Sequence, residues 1–113
     1  MMKDWQDLYK SLGGISIDYL IYQKRDNIEQ SKKIIPQIQK FVLWFLEENR
    51  YGIEAELYQG LSQNLVNILA DILEALEQED MVLMHDALTY GLLEYLELIV
   101  VNLKQEELVD DDV

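Results

Sequence analysis

The chain has 113 residues, half of them hydrophobic, and a formal net charge of −13 at pH 7. This length is enough for one domain with a buried core, and the hydrophobic content excludes an intrinsically disordered chain. The absence of cysteine excludes disulfides and thiolate metal ligands, and the longest wholly apolar run, residues 41–46, is far shorter than the roughly 20 residues of a membrane span.

Charge is distributed unevenly along the chain. Residues 1–70 carry nine acids and eight bases, whereas residues 71–113 carry thirteen acids and one base, Lys104. An acidic half repels nucleic acid phosphates and anionic lipids, so we expect neither a nucleic acid nor a membrane as partner. The acids are either a solvated face or a docking surface for a basic partner. The N-terminus lacks the apolar core of a signal peptide, which favours a cytoplasmic protein.

The first predicted helix covers residues 3–24. Its core stripe follows a three-four spacing and consists of Trp5, Leu8, Leu12, Ile15, Tyr19 and Tyr22. The phase runs through Gly13 and Gly14, which predicts one helix, although two glycines cost about 2 kcal/mol of helix propensity. A close approach of another backbone or a kink would explain them, and the alternative is a break into two short helices. Ile17 and Ile21 lie off the stripe and indicate a second contact.

The second predicted helix covers residues 28–49. Asn27 is the predicted N-cap, with Gln30 as its reciprocal capping partner. Pro36 lacks a backbone donor, so we expect a kink or a restart near residues 31–35. Five bases precede or occupy the first half of this helix and are candidates to meet the acidic half of the same or a neighbouring molecule: Lys24, Arg25, Lys32, Lys33 and Lys40.

The third and fourth predicted helices cover residues 54–78 and 80–105. Gly52 suits the left-handed position that follows a helix, and Asp80 is the predicted cap of the fourth helix. The fourth helix has two apolar stripes, which are Met81, Met84, Leu88, Leu92, Tyr95 and Ile99, and Val82, Leu93, Leu96, Val100 and Leu103. One buried face needs only one stripe, so this helix should pack on two sides, within its own fold or against a partner. Residues 106–113 lose the pattern and should fray or be disordered.

These elements predict an all-α protein, an antiparallel up-down-up-down four-helix bundle with short connections. The alternative is a pair of long hairpins that completes the bundle in a dimer. The apolar surplus on the second and fourth helices favours a homodimer. The candidate interface residues are Leu93, Leu96, Val100, Ile17 and Ile21.

The sequence contains few of the residue patterns that form metal or cofactor sites. A carboxylate-bridged di-metal site in a bundle needs two Glu-x-x-His pairs, but His85 is the only histidine and Val82 stands three residues before it. We expect His85, next to Asp86, to be a surface or boundary residue without a ligand or catalytic role. No glycine-rich phosphate loop and no Ser-His-Asp set is present, so no cofactor is expected.

One acidic cluster supports an alternative function. Its members are spaced by three residues, which suggests one shared helix face: Asp71, Glu74, Glu77 and Asp80. Such a set would suit magnesium and pyrophosphate, as in all-helical nucleotide pyrophosphohydrolases. Those proteins follow a Glu-Glu pair with a later acid in phase, whereas Glu47 and Glu48 here precede a loop. A metal-dependent nucleotide or phosphate hydrolase is therefore the alternative, and a solvated side of the helix is the simpler interpretation.

The junction between the third and fourth helices resembles a known pattern. It carries Ala-Leu-Glu at residues 75–77, Asp80 in the turn, and then Leu83, Asp86, Leu88, Tyr90 and Leu93. This is similar to the closing hairpin of small, acidic, uncharacterised helical proteins of Gram-positive bacteria, and more loosely to flagellar export chaperones, which hold a secreted subunit. The resemblance implies a binding role without catalytic residues. The leading hypothesis is a non-enzymatic helical binding or assembly protein, chaperone- or adaptor-like, whose apolar stripes pack against a partner helix.

Overall fold

The computed structural model describes residues 2–103, and this part of the chain is helical with no β-strand. The α-helices are α1 (Met2–Leu20), α2 (Asn27–Lys32), α3 (Ile35–Glu47), α4 (Ala55–Gln78), α5 (Met81–Ala87) and α6 (Leu93–Glu97). Two π-helical segments, π1 (Leu88–Leu92) and π2 (Leu98–Leu103), follow α5 and α6 without a break. The all-α class predicted from the sequence is confirmed.

Helix α1 passes through Gly13 and Gly14 without a break, as the unbroken phase predicted. It ends at Leu20, earlier than predicted, because the chain turns back at this point. Gln23 takes a left-handed φ of 53°, and the Lys24 N–H donates to the Asp18 carbonyl at 2.9 Å. Tyr22 therefore lies beyond the helix and is exposed, so its prediction as a core residue was wrong.

The two glycines of α1 have no packing reason within the described fold. A Cβ atom at Gly14 would meet no heavy atom within 4 Å outside its own helix backbone, and the same holds at Gly13. We therefore expect Gly14→Ala to raise the free energy of unfolding in urea by about 1 kcal/mol through helix propensity alone. Gly52→Ala is the control, because its φ of 65° should make alanine destabilising by about 1 kcal/mol. A loss of stability at Gly14 would instead mean that another surface contacts this side of α1.

The predicted second helix restarts near Pro36, which confirms the interpretation of that proline. Helix α2 ends at Lys32, and the Ile34 N–H donates to the Ser31 carbonyl at 3.0 Å. Pro36 then lies in the first turn of α3. A first-turn proline costs little because its missing N–H would have no intrahelical acceptor there.

Asn27 is not the cap that the sequence predicted. Asp26 occupies the N-cap position of α2, and its carboxylate accepts a hydrogen bond from Gln30 Nε2 at 2.7 Å. Asn27 is instead buried, and its Nδ2 donates to the Met81 carbonyl at 2.9 Å. This bond ties the start of α2 to the start of α5, while Asn27 Oδ1, the atom that a cap would use as acceptor, accepts no hydrogen bond within the described residues.

Caps close both ends of α4. Glu54 Oε2 accepts the Leu57 N–H at 3.0 Å at its start, and Glu79 adopts a left-handed φ of 53° at its end. Asp80 Oδ1 accepts the Leu83 N–H at 3.0 Å and caps α5, as predicted. Gly52 has the predicted left-handed conformation in the preceding loop. Groups close in sequence therefore define both the start of α4 and the junction between α4 and α5.

The last helical stretch is not α-helical throughout. After π1 the Leu93 N–H donates to the Leu88 carbonyl, five residues back. The buried leucines and methionine here recur every fourth residue: Met84, Leu88, Leu92 and Leu96. In an ideal α-helix that spacing drifts by about 40° per step, and a π turn, which holds more residues, reverses the drift. The predicted end of this helix at residues 104–105 and the predicted tail at 106–113 lie outside the described residues.

The core is one contiguous apolar cluster to which α1, α3, α4 and the last helical stretch all contribute. Its aromatic part joins α1 to α3, since the Trp5 ring meets Phe41 edge-on with centroids 5.2 Å apart. Phe45 stacks on Tyr58 of α4 and meets Tyr95 of α6. Trp5 thus packs the start of α1 on α3, and Phe45 packs α3 on α4 and α6.

Candidate interaction surface

The most exposed group of apolar side chains lies where α1 ends. Ile17, Leu20, Ile21 and Tyr22 are 51%, 52%, 68% and 67% exposed, within six residues of chain. We call these four residues the α1-end cluster. Single exposed apolar residues are ordinary, but a contiguous group of large ones typically marks an interaction site.

Charged groups border the α1-end cluster. Lys24 Nζ lies 3.7 Å from the Asp18 carboxylate, and the Arg25 guanidinium carbon lies 5.4 Å from the centroid of the Tyr19 ring. The surface is therefore apolar at its centre and charged at its edge. Protein interfaces commonly have this arrangement.

A polar network beneath the α1-end cluster fixes α1 to the last helical stretch. Tyr19 stacks on His85 with ring centroids 4.7 Å apart. Thr89 Oγ1 lies 3.0 Å from Ser16 Oγ and 3.3 Å from His85 Nδ1. His85 is 7% exposed, so its prediction as a surface or boundary residue was wrong. The Tyr19 ring stacks against the imidazole, a long-range contact that the sequence around His85 does not reveal.

The structure separates the predicted interface residues into two groups. Ile17 and Ile21 are exposed and belong to the α1-end cluster. Leu96 has no exposed surface, and Leu93 and Val100 are half-buried against the core. Leu96 is thus already covered by its own chain, and the second stripe of the last helix serves the core at this position.

Two members of the α1-end cluster were not predicted from the sequence to be interface residues. Leu20 had no assignment, and Tyr22 was placed in the core stripe. The sequence feature that could have identified them is the polar run at residues 23–27, which contains no apolar side chain. A helix that ends just before such a run leaves its last apolar residues without a neighbouring turn to cover them.

The predicted acidic cluster does not converge. Asp71, Glu74 and Glu77 are exposed on α4, while Asp80 lies beyond the helix as the cap of α5. A spacing of three falls short of a full turn, so the direction from the first to the third acid rotates by about 120°. Within residues 2–103 no group of three acidic or histidine side chains could hold a metal ion. Glu94 and Glu97 are likewise exposed.

Tyr95 is a buried titratable side chain that joins α6 to α4. Its hydroxyl donates to the Leu61 carbonyl at 2.8 Å and accepts from Asn64 Nδ2 at 3.0 Å. Burial raises the pKa of Tyr95 above its usual value of 10.0, and the Asn64 hydrogen bond offsets part of that rise. The buried hydroxyl links α6 to α4 in its neutral form.

This shift predicts an alkaline loss of stability. At pH values between the unfolded pKa and the raised folded pKa, the folded chain keeps the Tyr95 proton that the unfolded chain has lost. The contribution of Tyr95 to the free energy of unfolding is therefore complete below pH 10 and falls as pH rises through the raised pKa. Tyr95→Phe should lower the free energy of unfolding by about 1 kcal/mol at neutral pH, through the lost hydrogen bonds. Urea titrations above pH 10 should show that difference shrinking. A difference that stays constant would contradict the assignment.

No helix within residues 2–103 is long and apolar enough to cross a membrane. Comparison with known proteins gave no match among family models, curated proteins or solved structures.

Proposed function

We propose that this chain is a non-enzymatic helical binding and assembly protein, chaperone- or adaptor-like, that works in the cytoplasm. The α1-end cluster is the single observation that carries this proposal. Burial of large apolar side chains stabilises association by about 25 cal/mol per Å² before the costs of binding are subtracted. Four such side chains within six consecutive residues are enough to favour a specific contact.

The scaffold is an antiparallel four-helix bundle, made of α1, α2 with α3, α4, and the stretch from α5 to π2. Side-chain pairings support this topology. Tyr19 meets His85 and Ser16 meets Thr89, so residue numbers fall along α1 as they rise along its neighbour. The close contact between Ile68 and Gly91 and the hydrogen bond between Asn64 and Tyr95 follow the same rule for α4.

The chain assembles first with a second copy of itself. A two-fold axis through the α1-end cluster brings the same apolar side chains from both copies together, which is the commonest geometry of homodimers. Ile17 and Ile21 lie at the centre of this contact. The acids of residues 71–103 are on other helices, so they remain solvated and keep the dimer soluble.

Two substitutions, each of which replaces an exposed aliphatic residue by glutamate, test the proposal. Ile21 and Leu43 are both 68% exposed, and Leu43 lies on α3. We expect Ile21→Glu to convert the dimer to a monomer in size-exclusion chromatography with light scattering, because a carboxylate would be buried without a partner. Leu43→Glu carries the same charge change and should remain dimeric.

Circular dichroism of both variants should match the unmodified chain, because both positions are exposed. If Ile21→Glu keeps the mass of the unmodified chain, the α1-end cluster is not the interface. If both variants dissociate equally, the added charge rather than the position is responsible, and the proposal fails.

A further inference from the structure

A second apolar surface runs along the outer flank of α4. Four aliphatic residues follow at spacings of three, four and three and form what we call the α4 stripe: Val66, Leu69, Leu73 and Leu76. Val66 and Leu73 are each 42% exposed, and Leu69 and Leu76 are half-buried against the core. The stripe is therefore covered on its inner side only. It lies on a different helix from the α1-end cluster.

The charged side chains of α4 and of the described helices that follow it have one sign. Residues 51–103 contain ten acids and neither lysine nor arginine. Glu77 follows Leu73 by one helical turn and so borders the stripe, and Glu74 lies about 60° further round the helix on the same side. Within the described residues neither forms an ion pair, since Glu74 meets only the Gln78 amide at 3.4 Å.

We infer that the α4 stripe binds a basic amphipathic helix of another protein. The apolar face of that helix packs on Val66 and Leu73, and lysine or arginine side chains along its edge pair with Glu74 and Glu77. This goes beyond the proposed self-association, because it uses a separate surface and a partner of opposite charge.

The shape of the surface favours a helix as the occupant. The described part of the chain has no strand, so it offers no sheet edge to an extended peptide. Helix α4 has 24 residues and is about 36 Å long, which lets a partner helix lie along it by ridges-into-grooves packing. Apolar anchors spaced at three and four residues are the usual pattern of helix-in-groove recognition.

The charge favours a foreign partner over a second copy. Another copy brings a further net charge of −13. Its exposed bases that form no ion pair within the described residues are Lys3 and Lys10 on α1, Arg25 in the following loop, Lys33 between α2 and α3, and Lys40 on α3. They do not form a continuous basic helix face of the length that α4 presents. Complementary potentials raise the association rate and select partners by sign.

Fluorescence anisotropy with a synthetic probe tests the inference. The probe is a labelled Leu/Lys peptide of about five helical turns with one apolar face. The comparison peptide has the same composition in scrambled order, so it has equal charge and no apolar face. We expect the amphipathic peptide to bind the full chain at least about tenfold more tightly than the scrambled one, and the affinity of both to fall with added salt.

Matched variants locate the site. Glu74→Gln with Glu77→Gln should weaken binding of the amphipathic peptide about tenfold, because two exposed ion pairs are lost. Asp4→Asn with Asp7→Asn makes the same change in net charge on α1 and should weaken it less than about twofold. Leu73→Ser keeps the charge and should weaken binding severalfold through lost apolar contact. All these positions are exposed, and circular dichroism checks that each variant folds.

Several outcomes would overturn the inference. Equal binding of the amphipathic and scrambled peptides, or equal losses in the two charge-matched pairs, would mean that only net charge is recognised. Absence of binding would remove the site. A loss of binding in Ile21→Glu would place the peptide on the α1-end cluster instead. Failure of self-association alone would leave peptide binding to the α4 stripe unchanged, so the two proposals fail separately.

Discussion

Leu96→Ala should lower the free energy of unfolding by about 2–5 kcal/mol. Leu96 has no exposed surface and belongs to the core cluster, so truncation removes buried apolar contacts and leaves a cavity. Urea denaturation followed by circular dichroism measures the change. Leu96→Glu should abolish the folded state, because it buries a charge without a partner. Such losses exceed those of most single substitutions.

Leu93→Ala is the control for this prediction. Leu93 is half-buried on the same helical stretch, so its truncation should cost clearly less than that of Leu96. A folded, stable Leu96→Glu variant with a reduced oligomeric mass would contradict the placement of Leu96 in the core. It would instead make Leu96 part of a contact between copies.

Gly91→Val should destabilise the chain by about 1–3 kcal/mol, because it overpacks the contact between π1 and α4. A Cβ at Gly91 would lie 3.1 Å from three side-chain atoms of Ile68, including both branches at its Cβ. A β-branched side chain has few rotamers into which it can move. The gain in helix propensity when valine replaces glycine, about 0.5 kcal/mol, does not offset this clash.

A double-mutant cycle separates the clash from other effects. In the background of Ile68→Ala the cost of Gly91→Val should fall by at least about 1 kcal/mol, since the atoms that it meets are gone. Gly14→Val serves as the control, because nothing lies within 4 Å of a Cβ there. If Gly91→Val costs the same in both backgrounds, the contact with Ile68 does not set the requirement for glycine.

Features of the fold that depend on local chemistry were predictable. The phase of apolar residues through Gly13 and Gly14 predicted a continuous α1, and the missing donor of Pro36 predicted the restart of the helix there. The carboxylate of Asp80 caps α5 as its position suggested. Each of these depends on groups within about one helical turn of one another, so the sequence contains the whole interaction.

Features that depend on distant contacts were not predictable. Asn27 forms its hydrogen bond with Met81, 54 residues away, and nothing near Asn27 announces that acceptor. The π1 segment brings residues spaced by four onto one face, and Gly91 within it approaches Ile68 of α4, 23 positions earlier in the chain. The burial of His85 under Tyr19 has the same origin.

The candidate interaction surface was predictable only in part. Ile17 and Ile21 departed from the core stripe of the first helix and so marked an outward face. For Leu96, a second apolar stripe in the sequence cannot distinguish a contact within one chain from a contact between chains. Which side of the last helical stretch is buried depends on the rotation that the two π segments introduce along it.

Sedimentation equilibrium of the unmodified chain tests most directly whether a second copy covers the α1-end cluster. With one chain of 13.3 kDa, we expect the fitted mass to approach twice that value as concentration rises, and to return toward 13.3 kDa on dilution. A mass of 13.3 kDa at every concentration would contradict the assembly, because Ile17, Leu20, Ile21 and Tyr22 would then remain in contact with solvent.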